Sequence, residues 1–244
     1  MVQLLSEFFV DQLIASVRQV GDKLLQESRY NDAEAQQELI AQLQLLLPQA
    51  GIIAEEGTIA QSAEYTWVID PLDGTTNRAI GLPCWCVSVA LMRAELPIVG
   101  VIYAPALRQL FTTTMFNTVL YNNASVVVAD RPLAQGIIAT SFPRRMAPAY
   151  RHHWQLLAAL RDRSYSMRSI GSIALESAYV AAGIVDVVIV PAARWWDIAA
   201  GIALIQAAGG LILQGGSPRK EQQLFIACTP AVAEQLQSLL LHYL

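Results

Sequence analysis

The sequence predicts an α+β half over residues 1–134 and an α/β half over residues 135–244, and three patterns carry that prediction. Apolar residues recur at helical spacing before Pro48. Between Trp67 and Val128 they alternate or run together with turns between, as neighbouring strands of an antiparallel sheet do. After about residue 135, strand-like and helix-like segments take turns, which is the texture of an α/β arrangement. No repeat, low-complexity stretch or flexible linker interrupts the chain.

Taken in order, Leu5, Phe8, Phe9, Leu13, Val17, Val20 and Leu24 form one stripe and predict a helix over residues 3–27. A second helix fits residues 33–47, with Leu39, Leu43 and Leu46 on one side and Pro48 just past its end. Asn31 followed three residues later by Glu34 resembles a capping box. Ile52-Ile53-Ala54 reads as a short strand running into Glu55-Glu56-Gly57. Strands follow over 84–92, 98–103, 109–114 and 119–128. In the second half, strands are expected at 136–141, 185–190 and 211–213, and helices at 149–160, 172–182, 197–208 and 230–244.

Hydrophobic residues make up 54% of the chain and charged residues 15%, which excludes disorder and leaves ample material for a core. The formal net charge is −4 with no basic run, so no nucleic-acid partner is expected. Residues 1–10 are apolar but carry Glu7 and lack a basic start or a small-residue cleavage site, so they do not read as a signal peptide. The uncharged stretch 198–218 is long enough to span a membrane. Gly209-Gly210, Gly215-Gly216, Gln206 and Gln214 interrupt it, and a buried helix, a turn and a buried strand are expected there instead. Three cysteines make no disulfide framework, and Cys84 and Cys86 have no further metal ligands nearby in sequence. Buried packing in a reducing cytoplasm is the expectation.

The segment Trp67-Val68-Ile69-Asp70-Pro71-Leu72-Asp73-Gly74-Thr75-Thr76-Asn77 concentrates the chemistry. Pro71 removes a backbone donor, so the strand is expected to stop at Asp70 as a central ladder member. Gly74 permits a tight turn. Two carboxylates, backbone N–H groups and hydroxyls then face one small volume. Carboxylates attract hard cations, while N–H groups and hydroxyls attract phosphate oxygens. Metal-assisted chemistry on a phosphate follows, with an Asp-rich turn after a strand as the plainer alternative. Elsewhere, helix capping would account for Asp32 and Asp197, and Glu55-Glu56 could be a solvated loop pair. However, Asp70 and Asp197 both follow apolar runs containing tryptophan. Their charges should lie at the core edge, where a metal or partner would neutralise them.

Glu55-Glu56, residues 67–77 and Trp196-Asp197-Ile198-Ala199-Ala200-Gly201 together resemble the three signature segments of the inositol monophosphatase family. Gly171-Ser172 before a helix and Ala208-Gly209-Gly210 are similar too, and the likeness covers essentially the whole chain in order. The resemblance implies a layered αβαβα sandwich of the inositol monophosphatase and fructose-1,6-bisphosphatase type. It implies hydrolysis of a small phosphate monoester, such as an inositol monophosphate, by a Mg²⁺-dependent, Li⁺-sensitive cytoplasmic homodimer. Glu55, Asp70 and the Leu72 carbonyl would hold one Mg²⁺, and Asp70, Asp73 and Asp197 a second, with Glu55 sharing a third. Gly74 and Thr75 would offer N–H groups to the phosphate, and Asp73, Gly171, Ser172 and Asp197 would complete the substrate site. Asp32 and the Thr75 hydroxyl, with Glu55 nearby, would help to deprotonate the attacking water.

Several departures from the family pattern bear on the substrate. Residues 23–31 leave little room for the longer, lysine-bearing mobile loop that family members carry before the Asp32 position, which bears on the lid and the third ion. Val190 stands where an acidic residue usually binds substrate hydroxyls, and valine accepts no hydrogen bond. Arg194 either reaches a second anionic group on the substrate or is a surface arginine stacked on Trp195. Arg78 replaces an aromatic residue, and residues 117–123 lack the glycines usual in that hairpin. The substrate is therefore a polyol phosphate, or else histidinol phosphate, a sugar bisphosphate or a nucleotide 3′-phosphate. A reading of another class is a non-catalytic regulatory or protein-binding family member.

Overall fold

Helix formation at the start of the chain follows the apolar stripe. The computed structural model describes residues 6–55, 57–60, 64–114, 116–142, 153–218 and 222–243. Helix α1 (Glu7–Gln26) buries Phe9, Val10, Leu13, Val17, Val20 and Leu24, and the Ser6 hydroxyl caps it by accepting the Phe9 N–H at 3.2 Å. Helix α2 (Asp32–Leu46) opens with the expected capping box. The Asn31 side chain accepts the Glu34 N–H and the Glu34 carboxylate accepts the Asn31 N–H, each at 3.0 Å.

Strands β1 (Gly51–Ala54) and β2 (Gly57–Ala60) pair antiparallel, and β3 (Tyr65–Asp73) lies parallel to β1. The short helix α3 (Thr75–Ala79) follows β3. Then β4 (Cys86–Arg93), β5 (Leu96–Ala104), β6 (Gln109–Thr113), β7 (Val119–Tyr121) and β8 (Ala124–Val126) add in order as the expected meander. The resulting eight-stranded sheet has the order β2-β1-β3-β4-β5-β6-β7-β8. The second half supplies β9 (Ile137–Thr140), α4 (His153–Arg163), β10 (Ser166–Arg168), α5 (Ile173–Ala181) and β11 (Val187–Ala193). It ends with α6 (Trp195–Ala207), β12 (Leu211–Gln214), β13 (Gln223–Cys228) and α7 (Pro230–Tyr243). Its sheet has five strands in the order β10-β9-β11-β13-β12.

Three apolar cores separate five layers. Leu13 of α1 and Leu39 of α2 pack with Trp67, Ile69 and Val101 on one face of the large sheet. The opposite face, with Val68, Met92 and Phe111, meets α5 and α6, whose far sides meet Val188 and Phe225 of the small sheet. Leu156 of α4 and Leu236 of α7 cover the outer face of that sheet at Ile189 and Ile226. This is the αβαβα sandwich. Helix α6 is the middle layer and is covered on both sides, which explains its apolar composition all round. It ends at Ala207 and β12 follows the glycine turn, as expected for residues 198–218, but β12 is the edge strand of the small sheet with Leu211 and Gln214 exposed rather than the expected buried strand. No helix among the described residues is long and apolar enough to cross a membrane.

The structure differs from expectation in several places. Strands β2, β10 and β13 were not expected, and β13 sits inside the small sheet between β11 and β12. The strand expected over 119–128 is a hairpin, turning through Asn122 and Asn123 at φ 45° and 70°. Asparagine takes the left-handed conformation that glycine would otherwise supply. Strand β3 continues through Pro71 to Asp73. Its partners step from Ser88 opposite Asp70 to Cys86 opposite Asp73, so the proline sits in a bulge that needs no ladder donor from it. The helix expected over 149–160 is described from His153 to Arg163, and residues 143–152 lie outside the described ones.

A Cβ on Gly100 of β5 would stand 2.5 Å from the Ala200 carbonyl oxygen of α6, so backbone faces backbone. Gly100→Ala should push α6 off the sheet at a cost of about 2 kcal/mol, or roughly 4–8 °C in Tm for a chain of this length. Thermal unfolding that matches wild type to within about 1 °C would contradict this close approach.

Candidate active site

The bulge at Pro71 delivers Asp70 and Asp73 together at the end of β3. Asp70 Oδ1 accepts the Leu72 N–H at 2.9 Å, and the Thr75 hydroxyl donates to the Leu72 carbonyl at 3.1 Å. Gly74 has φ 96°, and a Cβ there would lie 3.0 Å from both the Cys84 carbonyl and Trp85 Cβ. Both the conformation and the space demand glycine.

The second half meets this turn at the start of α5. Asp73 Oδ2 accepts the Ser172 hydroxyl and the Ala174 N–H, each at 2.7 Å. Asn77 donates from Nδ2 to the carbonyls of Cys84 at 2.6 Å and Ile170 at 2.8 Å. Gly171, at φ 82°, leaves room for that amide, since a Cβ would stand 3.0 Å from Asn77 Nδ2. Gly171 and Ser172, expected beside the substrate, thus have a structural task here: they receive Asn77 and orient Asp73.

Asp197 arrives from the first turn of α6, where its Oδ2 accepts the Arg194 N–H at 2.8 Å. Neither aspartate is the N-cap residue, since Asn31 holds that position in α2 and Arg194 in α6, although Asp197 does cap α6 from its third position through the Arg194 N–H. One oxygen each from Asp70, Asp73 and Asp197 lie within 4.8 Å of one another. Such an all-oxygen set suits a hard divalent cation. Glu55 follows β1 and stands outside this trio, on the rim of a cavity of about 470 Å³ that it shares with Asp197, Val190 and Arg194. Val190 and Arg194 thus line the same cavity as Glu55 and Asp197. The Arg194 guanidinium lies 5.7 Å from the ring centre of Trp196, which corrects the expected stacking on Trp195. Trp195 is buried and donates its indole N–H to the Met92 sulfur at 3.2 Å. Thr75 is exposed and borders a second hollow of about 490 Å³ between the ends of α1 and α3. Asp32 is half-buried at the first position of α2.

Burial makes charge costly for all three aspartates. Desolvation first, and then the charges of Asp73, Asp197 and Glu55, hold the Asp70 carboxyl well above its usual range. Asp73 is pushed up to about 6 by burial, against the pull of Ser172 and Ala174. Asp197 is raised by burial and then by Asp73, with the Arg194 N–H opposing. Two residues escaped the sequence reading. Asn77 closes the motif, and its pattern alone gives no sign of the bridge it makes to Ile170. Glu176, fully buried in α5, accepts the Ile170 N–H at 2.8 Å and the Ser141 hydroxyl at 2.9 Å through Oε1, while Oε2 has no hydrogen-bond partner among the described residues. Burial pushes it up to about 7. A lone glutamate in the apolar run Ile173-Ala174-Leu175-Glu176 was the available signal.

The profile of the inositol monophosphatase family matches residues 9–243. The chain belongs to this family. An inositol-1-monophosphatase of Mesorhizobium japonicum is 34% identical over 235 residues, 93% of this chain and 86% of that protein. The Nus factor SuhB of Xylella fastidiosa is 34% identical over 195 residues, covering 78% of this chain and 71% of its own. Among solved structures, the suhB protein of Bartonella henselae superposes with a TM-score of 0.87 at 26% identity, covering 96% of this chain and 98% of that one. The inositol monophosphatase of Anabaena (Nostoc) does so with 0.85 at 28%, covering 98% and 97%. Family membership supports a phosphatase role, and the aspartate trio is a site able to hold a metal.

Carboxyls raised on folding mean that the metal-free folded chain binds protons more tightly than the unfolded one. Between the ordinary carboxyl range and the value of about 6 for Asp73, the folded state holds the extra proton, so stability falls as pH rises. Asp70 and Asp197 shift the same way, and Glu176 at about 7 extends the fall upward. The metal-free Tm should therefore drop between about pH 5 and pH 8, and less steeply in Asp73→Asn. A wild-type Tm that is level or rises over that window would contradict this electrostatic picture.

Proposed function

We propose that this chain hydrolyses a small phosphate monoester to an alcohol and inorganic phosphate, with Mg²⁺ held at Asp70, Asp73 and Asp197. The convergence of those three carboxylates within 4.8 Å carries the reading. Glu55 and the Leu72 carbonyl would complete a two-ion set, and Glu55 would share a third ion. Bound there, Mg²⁺ supplies Lewis acidity toward phosphoryl oxygens and lowers the pKa of water. The chain's own groups do the rest. Gly74 and Thr75 offer backbone N–H groups to the phosphate at the start of α3. Asp32 acts through the Thr75 hydroxyl to take the proton from the attacking water. The new P–O bond forms as the bond to the leaving alcohol breaks, and the proton ends on that alcohol. Asp73 stays oriented throughout by Ser172 and Ala174.

At the leaving-group end, Val190 offers no acceptor for substrate hydroxyls, and Arg194 borders the same cavity. These two keep histidinol phosphate, a sugar bisphosphate and a nucleotide 3′-phosphate beside the inositol-like substrate. A second reading, a regulatory or protein-binding role, draws on the likeness to relatives called Nus factor SuhB.

Phosphate release should be measured with inositol 1-phosphate, histidinol phosphate, fructose 1,6-bisphosphate and adenosine 3′,5′-bisphosphate at saturating Mg²⁺. At least one should be turned over, and EDTA should abolish the release. Asp73→Asn or Asp197→Asn should lower kcat at least about a hundredfold, more than typical losses at groups that only orient metal ligands. No release from any compound would favour the binding role, and unchanged activity in Asp73→Asn would sink the metal assignment.

A further inference from the structure

The connection from α1 to α2, residues 27–31, is held from both sides by hydrogen bonds that converge on two side chains. Arg78 of α3 donates from Nε at 3.2 Å and from Nη2 at 2.8 Å to the Leu24 carbonyl, and from Nη2 at 3.0 Å to the Tyr30 carbonyl. Its guanidinium lies 5.8 Å from the ring centre of Trp85. Leu24 belongs to the last turn of α1, whose carbonyls have no partner within the helix. A cation suits the negative end of that helix as well. On the other side, Glu38 of α2 accepts from Lys23 Nζ at 2.7 and 2.8 Å, and from the Tyr30 hydroxyl and Gln19 Nε2, each at 2.8 Å.

The sequence positions give this arrangement a consequence. Tyr30 precedes Asp32 by two residues, and Arg78 follows Thr75 by three on the same short helix. One planar side chain thus joins the backbones next to both groups assigned to the proton transfer. The guanidinium fork addresses two carbonyls at once, whereas an ammonium is a point charge on a flexible stem. We propose that Arg78 is a positioning residue, which sets Asp32 against Thr75 before substrate arrives and makes the α1–α2 connection a fixed brace. This rests on the phosphatase reading above. Arg78 touches no reacting atom in this scheme, so its effect passes through Asp32 and Thr75. A misplacement of about 1 Å at a proton-transfer pair is enough to cost roughly a hundredfold in rate.

The test compares the full-length wild type with R78M and R78K, using Mg²⁺-dependent phosphate release and amide hydrogen exchange of residues 24–34. Mg²⁺ binding is measured by calorimetry without substrate. In R78M, kcat should fall about 10–100-fold while KM and the Mg²⁺ dissociation constant stay within about threefold. The amides of residues 27–32 should exchange at least about tenfold faster. R78K, which keeps the charge without the fork, should recover part of kcat. If R78M gives no cooperative melt, R78Q and R78K carry the same comparison. A variant with loosened amides but wild-type kcat per folded molecule overturns the positioning role, since a merely structural contact would behave that way. Unchanged exchange overturns the brace. Absence of phosphate release by the wild type itself removes the phosphatase reading and the proposal with it, an outcome visible before any variant is made.

Discussion

One oxygen of Asp73 is bound by the Ser172 hydroxyl and the Ala174 N–H, and those two bonds tie the end of β3 to the start of α5. Every other part of the site depends on that join. It brings a charged turn of the large sheet against the middle helical layer, where Asp197 waits on α6. Burial first, and then the repulsion of like charges so close together, raise the carboxyls of Asp70 and Asp197. The surrounding framework resists it. Asp70, Asp73 and Asp197 each have one oxygen fixed by a backbone or hydroxyl donor, so the carboxylates cannot swing apart without losing a buried or partly buried hydrogen bond. A hard divalent cation is the natural relief, and it would stabilise the fold while it equips the site.

Much of this was legible in the chain. The apolar stripes of α1 and α2, the Asn31–Glu34 box, the meander and the Asp70–Asn77 turn all rest on local rules, and local rules are what a sequence displays. What stayed hidden depends on partners distant in sequence. Strand β13 begins at Gln223, after a run of polar residues, and is held as a strand between β11 and β12. The bulge that lets β3 pass Pro71 exists only against β4. Asn122 and Asn123 look like poor substitutes for glycine until their left-handed φ values are seen. Ser172 and Gly171 were legible as motif residues, yet their contacts with Asp73 and Asn77 could not be read from spacing.

Two hollows border the site. Glu55, Val190 and Arg194 surround the one beside Asp197, where the identity of the leaving alcohol would be decided. Thr75 and Arg78 border the other, next to the end of α1. Helix α3 lies at the junction and is stapled in opposite directions, by Asn77 toward the second half and by Arg78 toward the first. A helix of five residues has little stability of its own, so these side chains are what give it a fixed place.

The middle layer also imposes an order on assembly. Residues 51–126 form the whole large sheet from one contiguous stretch, with mostly neighbour-to-neighbour pairing that closes early as a chain emerges. Helix α6 must then enter between that sheet and a smaller one whose interior strand, β13, lies later in the chain than α6 itself. Strands β9 and β11 precede α6 and offer it Val188 and Val190, but until β12 and β13 are made the wall on the small-sheet side is incomplete. The nascent protein therefore carries for a time a nearly uncharged helix with part of one face still open to water, a surface of the kind that chaperones shield.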